Sequence, residues 1–207
     1  MKRIILFLGC AVAAAGCMKK VPANLIEKLP YEAKIELLEA ENDLAIAVDR
    51  QDESRATINK TRDQIRRAKD RRSEAKSEVS NANDDNSKQV AELAVQEADA
   101  RVEFLRAQQK VNGKEEDIAD QNLKCALARY ESARLAAARK AKLEGSEALN
   151  PEAFDKQVKD CEKKVAEMKE AEKEQLGAAD AARGTWDKTK DSLAKKTFDA
   201  RASPYVE

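Results

Sequence analysis

Few side chains in this sequence are of a type that does chemistry, and the cysteines come first. Cys10, Cys17, Cys125 and Cys161 supply thiols that can be acylated or can pair as disulfides. Histidine is absent, which removes the commonest general base and metal ligand. Carboxylates abound, but acid pairs need a pocket to tune them, and no nucleophile elbow, phosphate-cradling glycine loop or metal-spaced cysteine cluster accompanies them. The expectation is a chain with no catalytic residues, no metal and no cofactor.

A disulfide across a helical hairpin needs its two cysteines equally far from the turn. Cys125 and Cys161 have their midpoint at Leu143, about four residues short of the centre of a turn expected at Gly145–Asn150. At helical rise this is an axial offset of about 13 Å, beyond the ~7 Å that a disulfide tolerates between Cα atoms. The spacing favours two buried thiols, with the disulfide as the second reading. The other chemistry-bearing group is cationic. Between Lys60 and Lys76 lie Arg62, Arg66, Lys69 and Lys76, with Asp63, Asp70 and Glu74 among them. They suit contact with an anionic polymer or partner; the plainer reading is a solvated face offset by acids on the next helix. Lysine plus arginine equals aspartate plus glutamate at 39 each, so no net field draws in nucleic acid, and aromatics that would stack bases are few.

The amino-terminal residues form a leader. Lys2 and Arg3 precede an apolar run, Ile4 to Ala15, too short to span a bilayer stably. It ends Ala14-Ala15-Gly16-Cys17. This resembles the lipobox of bacterial lipoproteins, in which small residues precede a cysteine that is acylated and becomes the new amino terminus. Ala14 stands where leucine is usual. The resemblance implies that residues 1–16 are a lipoprotein signal peptide and that Cys17 is the lipid attachment residue. Met18, not aspartate, follows Cys17, which by the enterobacterial sorting pattern implies the outer membrane, facing the periplasm. Acyl chains on one residue, in twos or threes, anchor stably where a single chain holds marginally.

The remaining chain must position these groups. Charged residues make up 38% of it and aromatics 4%, a balance that belongs to coiled coils and long helices. Residues 17–30 read as a lipidated tether that lets the rest pivot, interrupted by Pro22 and Pro30, with Leu25, Ile26 and Leu29 able to dock. A first helix is predicted from Tyr31 to Asn81. Leu37, Leu44, Ile58, Ile65 and Val79 share a heptad position, and small residues Ala40, Ala47, Thr61, Ala68 and Ala82 follow each by three. Gln51 and Arg72 break this stripe and are expected as wet points in the seam. A reversal falls at Asn81–Asn86, with Ser87 as cap of the next helix. That helix, to Glu144, carries a stripe through Val90, Leu93, Ala100, Phe104, Val111, Ile118, Cys125 and Leu135. The second reversal has Gly145 after the helix end, then Asn150-Pro151-Glu152 as cap, first-turn proline and acid. Phe154, Val158, Cys161, Val165, Met168, Ala179, Trp186 and Leu193 mark the third helix.

The predicted fold is all-α: an elongated antiparallel three-helix coiled-coil bundle over residues 31–201, with a tail at 202–207. The alternative is a long two-helix hairpin turning at Asn112–Gly113. The mature chain resembles helical coiled-coil lipoproteins of the Gram-negative envelope. It is similar in plan to the small murein-linked lipoprotein, but ends Pro204-Tyr205-Val206-Glu207, without the carboxyl-terminal lysine that the covalent link to peptidoglycan uses. The implied function is a lipid-anchored periplasmic spacer or scaffold, touching peptidoglycan or an envelope protein. The alternative is an accessory subunit docked onto an envelope machine for efflux, secretion or motility. Whether the third helix pairs within the chain or with a second copy is left open by the seams.

Overall fold

The computed structural model describes residues 18–198; residues 1–16, Cys17 and the tail 202–207 lie outside the described residues. Those described are helical throughout, without strands: α1 (Ala23–Glu27), α2 (Tyr31–Glu36), α3 (Leu38–Asn81), α4 (Asp85–Lys140), a 3-10 turn (Ser146–Ala148) and α5 (Pro151–Thr197). The protein is a helical bundle of two compact units. One holds residues 18–51 with Ile118–Glu167; the other holds Asp52–Asp117 with 168–198.

Each helix end follows from local chemistry. Asp84 caps α4: its Oδ1 accepts the N–H groups of Asn86 and Ser87, each at 2.9 Å, and its backbone carbonyl accepts from Lys88. Ser87, the expected cap, instead donates its hydroxyl to Asp84 Oδ2. These bonds, that hydroxyl first, hold the Asp84 carboxyl below its ordinary value. At the other end of α4, Leu143 N–H reaches back to Ala138 O and Lys142 N–H to Arg139 O, the two bonds of a Schellman closure. The left-handed residue there is Lys142, at φ 52°, not Gly145 as the sequence suggests. Gly145, at φ 89°, opens the 3-10 turn instead. Asn150 caps α5 as expected, its Oδ1 accepting Glu152 N–H at 3.0 Å.

In the unit holding Asp52–Asp117, α3 and α4 run antiparallel. Ile65 and Ala68 pack with Val102 and Leu105. Arg55 faces Glu116, Thr61 faces Asn112 and Arg72 faces Asp99, so equal steps along the two helices keep them in register. In the other unit Glu41 meets Tyr130 and Gln51 meets Asp120 at the same matched spacing. Gln51 and Arg72 are, as expected, partly solvent-exposed points in the seam, and each also meets an acid of α4 across it.

Of the two readings of the central helix the continuous one holds and the alternative, a turn at Asn112–Gly113, does not, because α4 runs unbroken through both residues. Asn112 is 2% exposed and donates to Thr61 Oγ1 at 2.7 Å while accepting from Gln108; a turn would lose both bonds. Nor are residues 18–30 a pivoting tether. Val21, Leu25 and Leu29 are all buried. Val21 and Leu25 join Leu135 and Phe154, while Leu29, with Ala33 and Leu37, joins Ala137 and Ala138. Pro22 and Pro30 shape this segment by starting α1 and α2, where a missing N–H costs nothing.

A Cβ added at Gly113 meets nothing within 4 Å. Gly113→Ala is expected to stabilise the fold by about 0.5–1 kcal/mol, since alanine gives up less backbone freedom in a helix. Urea denaturation measures this, and a turn at Asn112–Gly113 would give the opposite sign.

Candidate functional site

The residues with chemical potential fall into four places, and they do not converge on one pocket. Cys17 lies outside the described residues. Arg62, Arg66, Lys69 and Lys76 recur at helical spacing on one exposed stripe of α3. Arg66 lies 3.2 Å from Asp63 on its own helix, and the Arg62 guanidinium reaches Asn59 at 3.5 Å. Lys76 borders an open groove of about 360 Å³ between the end of α3 and the start of α4, floored by Val79 and Val95. A solvent-facing cationic stripe of this kind is not a binding cavity, and its charge is screened by salt.

Cys125 and Cys161 are joined as a disulfide between α4 and α5, with Cα atoms 5.5 Å apart. The axial offset expected from the sequence is removed by an asymmetric turn. The Arg139 guanidinium donates to the backbone carbonyls of Ser146, Glu147 and Leu149, the last at 2.8 Å. It thereby folds residues 146–149 back along the last turns of α4. That brings α5 in level with the body of α4: Ser132 meets Asp155, Arg129 meets Glu162, and Cys125 meets Cys161. Gln121, on the same face of α4, donates to Cys161 Sγ at 3.1 Å.

The third place is a buried polar knot between α4 and α5 in the unit holding Asp52–Asp117. Glu97 is fully buried and accepts the Trp186 indole N–H at 2.7 Å. The Arg101 guanidinium, also buried, lies 4.1 Å from the Trp186 ring centroid, and Phe104 stacks on Trp186 at 5.6 Å. Cation–π and stacking contacts of this kind gain from being dry. Trp186 is a core residue, as the seam implied. Glu97 and Arg101 escape sequence reasoning because they are polar. Yet Glu97 and Gln121 both fall in phase with the apolar stripe of α4, and that coincidence was the available signal.

The fourth place ties down the amino-terminal segment. Glu131, 6% exposed, accepts Val21 N–H at 2.7 Å through Oε2 and the Arg134 guanidinium at 2.7 Å through Oε1. Lys19 N–H donates to Gln157 Oε1 at 2.9 Å. Among the described residues, no group of three or more metal-ligating side chains is placed to hold an ion, and no helix is long and apolar enough to cross a membrane. Comparison with family models, with curated proteins and with solved structures finds no match to this chain.

Removing Glu131 leaves the Arg134 cation, whose side chain is 16% exposed, without its carboxylate. Glu131→Ala is expected to cost about 3 kcal/mol and to free residues 18–29. Limited proteolysis should then cut at Lys20 and Lys28 faster than in the parent, in step with the stability loss seen in urea.

Proposed function

We propose that this chain is a lipid-anchored periplasmic protein, held in the outer membrane through Cys17, that acts as a non-enzymatic spacer or scaffold of the cell envelope. Its three long helices would run as an elongated antiparallel coiled-coil bundle. The observation that carries the reading is the Cys125–Cys161 disulfide in a chain whose leader ends in a lipobox. Persistent disulfides belong to oxidising compartments such as the periplasm, so a second feature far along the chain agrees with export. Helix length fits a spacer: α4 has 56 residues, and at about 1.5 Å per residue it would reach about 84 Å. Surface chemistry also fits, since the outward faces carry short-range pairs such as Arg71 with Glu74 and Lys173 with Glu170, suited to solvent.

The second reading, an accessory subunit docked on an envelope machine, draws on the Arg62, Arg66, Lys69 and Lys76 stripe as the contact for an acidic partner helix. A photo-crosslinking residue at Arg66 in growing cells separates the two. The spacer reading expects adducts to peptidoglycan fragments or none above background. One protein adduct in good yield overturns it in favour of the docking subunit. Cys17→Ser, in the same cells, is expected to abolish fatty-acid incorporation and to move the protein from the membrane to the soluble fraction. Retention on the membrane without Cys17 would contradict the anchor.

A further inference from the structure

Among the described residues large apolar side chains are mostly buried, and the exceptions are not scattered. Of the seven large apolar residues left exposed among those described, five fall in α2 and the first turns of α3; the other two are Leu176 and Phe198. Tyr31, Ile35 and Leu38 are 74%, 47% and 57% exposed. Their spacing of four and three residues puts them on one face, which Ala45 and Ile46 extend. The opposite face of α2 is already occupied, because Ala33 and Leu37 pack on Ala137 and Ala138. A surface helix ordinarily turns its second face to water with charged side chains; one that is apolar on both faces has a second apolar neighbour.

What that neighbour is follows from where the chain is pinned. The backbone is fixed to this same unit at Lys19 by Gln157 and at Val21 by Glu131. Cys17 precedes Lys19 by two residues, about 7 Å of extended chain. No free tether therefore separates a lipid on Cys17 from the unit that carries the apolar face. We infer that the outer face of α2 and the start of α3, Tyr31 and Ile35 with Leu38, rests in the lipid surface in which Cys17 is anchored. This deepens the proposed function and rests on Cys17 bearing lipid. The rim is mixed in charge, exposed Lys28 and Lys34 lying among exposed Glu27, Glu32 and Glu36, so the contact rests on the apolar side chains rather than on headgroup attraction. Tyrosine at its edge has the apolar body and polar tip that favour the membrane interface. In this arrangement the bundle is seated on the membrane by two contacts, lipid and helix face, rather than swinging from one.

The test uses the full chain, expressed with its leader and purified with Cys17 characterised by peptide mass. An environment-sensitive fluorophore is attached at Ile35→Cys or, as control, at Lys163→Cys on the exposed side of α5 in the same unit. Each protein is reconstituted into vesicles of phosphatidylethanolamine and phosphatidylglycerol carrying a lipid-borne quencher. The inference expects quenching several-fold stronger at residue 35 than at residue 163, and its loss when Cys17→Ser is introduced. Equal, weak quenching at both positions with Cys17 acylated overturns the inference and leaves the anchor standing. An unmodified Cys17 overturns the anchor and the inference with it. Concentration-dependent self-quenching at residue 35 without vesicles assigns the face to a second copy of this chain, and also overturns it.

Discussion

Alanine seams bring helices close but do little to fix how far one slides along another. Among the described residues alanine is the commonest buried apolar residue, and successive alanines present nearly the same surface to a partner at each heptad. Register in this bundle therefore depends on polar side chains that have one good partner at one level. Asn112 with Thr61, Arg72 with Asp99, Gln51 with Asp120 and Trp186 with Glu97 are such pairs. A slip of one heptad would leave Glu97 and Asn112 buried among groups that cannot answer them, a cost of about 1–3 kcal/mol for each unsatisfied group and more for a charge. Apolar burial supplies the attraction and these pairs supply the register.

The turn between α4 and α5 applies the same principle to a loop. Hairpin symmetry would set the level of α5 by the number of loop residues alone. Arg139 changes this by binding three carbonyls of the loop, so that several residues are used in coming back along α4 rather than in crossing to α5. The result is that two cysteines which simple counting places apart stand face to face. Residues 18–30 behave likewise. A segment with two prolines cannot make one helix, but its apolar residues and the N–H groups of Lys19 and Val21 find partners on α4 and α5. It becomes part of the core.

Much of the architecture was legible in the sequence. The third helix is the clearest case: Phe154, Val165, Ala179, Trp186 and Leu193 are all buried on the stripe that heptad spacing marks. The Asn150-Pro151 start of α5 and the reversal near Asn81–Asn86 also follow from cap and turn chemistry. The central helix was read less well in its first half, where Ala91, Ala98, Val102 and Leu105 are buried rather than Val90, Leu93, Ala100 and Phe104. Two neighbours press on α4, so its deepest positions lie to one side of the stripe marked by hydrophobicity, and hydrophobicity alone does not locate that line. Polar core residues were hard to find for a different reason, with only the phase of Glu97 and Gln121 to mark them. Glu97, Arg101 and Glu131 are buried only because each has its particular partners, and partners on another helix cannot be read from composition. The Asn112-Gly113 pair illustrates the limit of local signals, since a strong turn dipeptide is overruled by one buried hydrogen bond and the helix on either side.

The account stands or falls on α5 lying level with α4 in a chain that matures outside the reducing cytoplasm. Both halves are tested by counting thiols in the full-length protein isolated from the cells that make it. The chain is alkylated under denaturing conditions before and after reduction, and Cys125 and Cys161 are followed by peptide mass. The account predicts that neither cysteine is alkylated until the protein is reduced, and that both then are. Two thiols open to alkylation at the outset would contradict it.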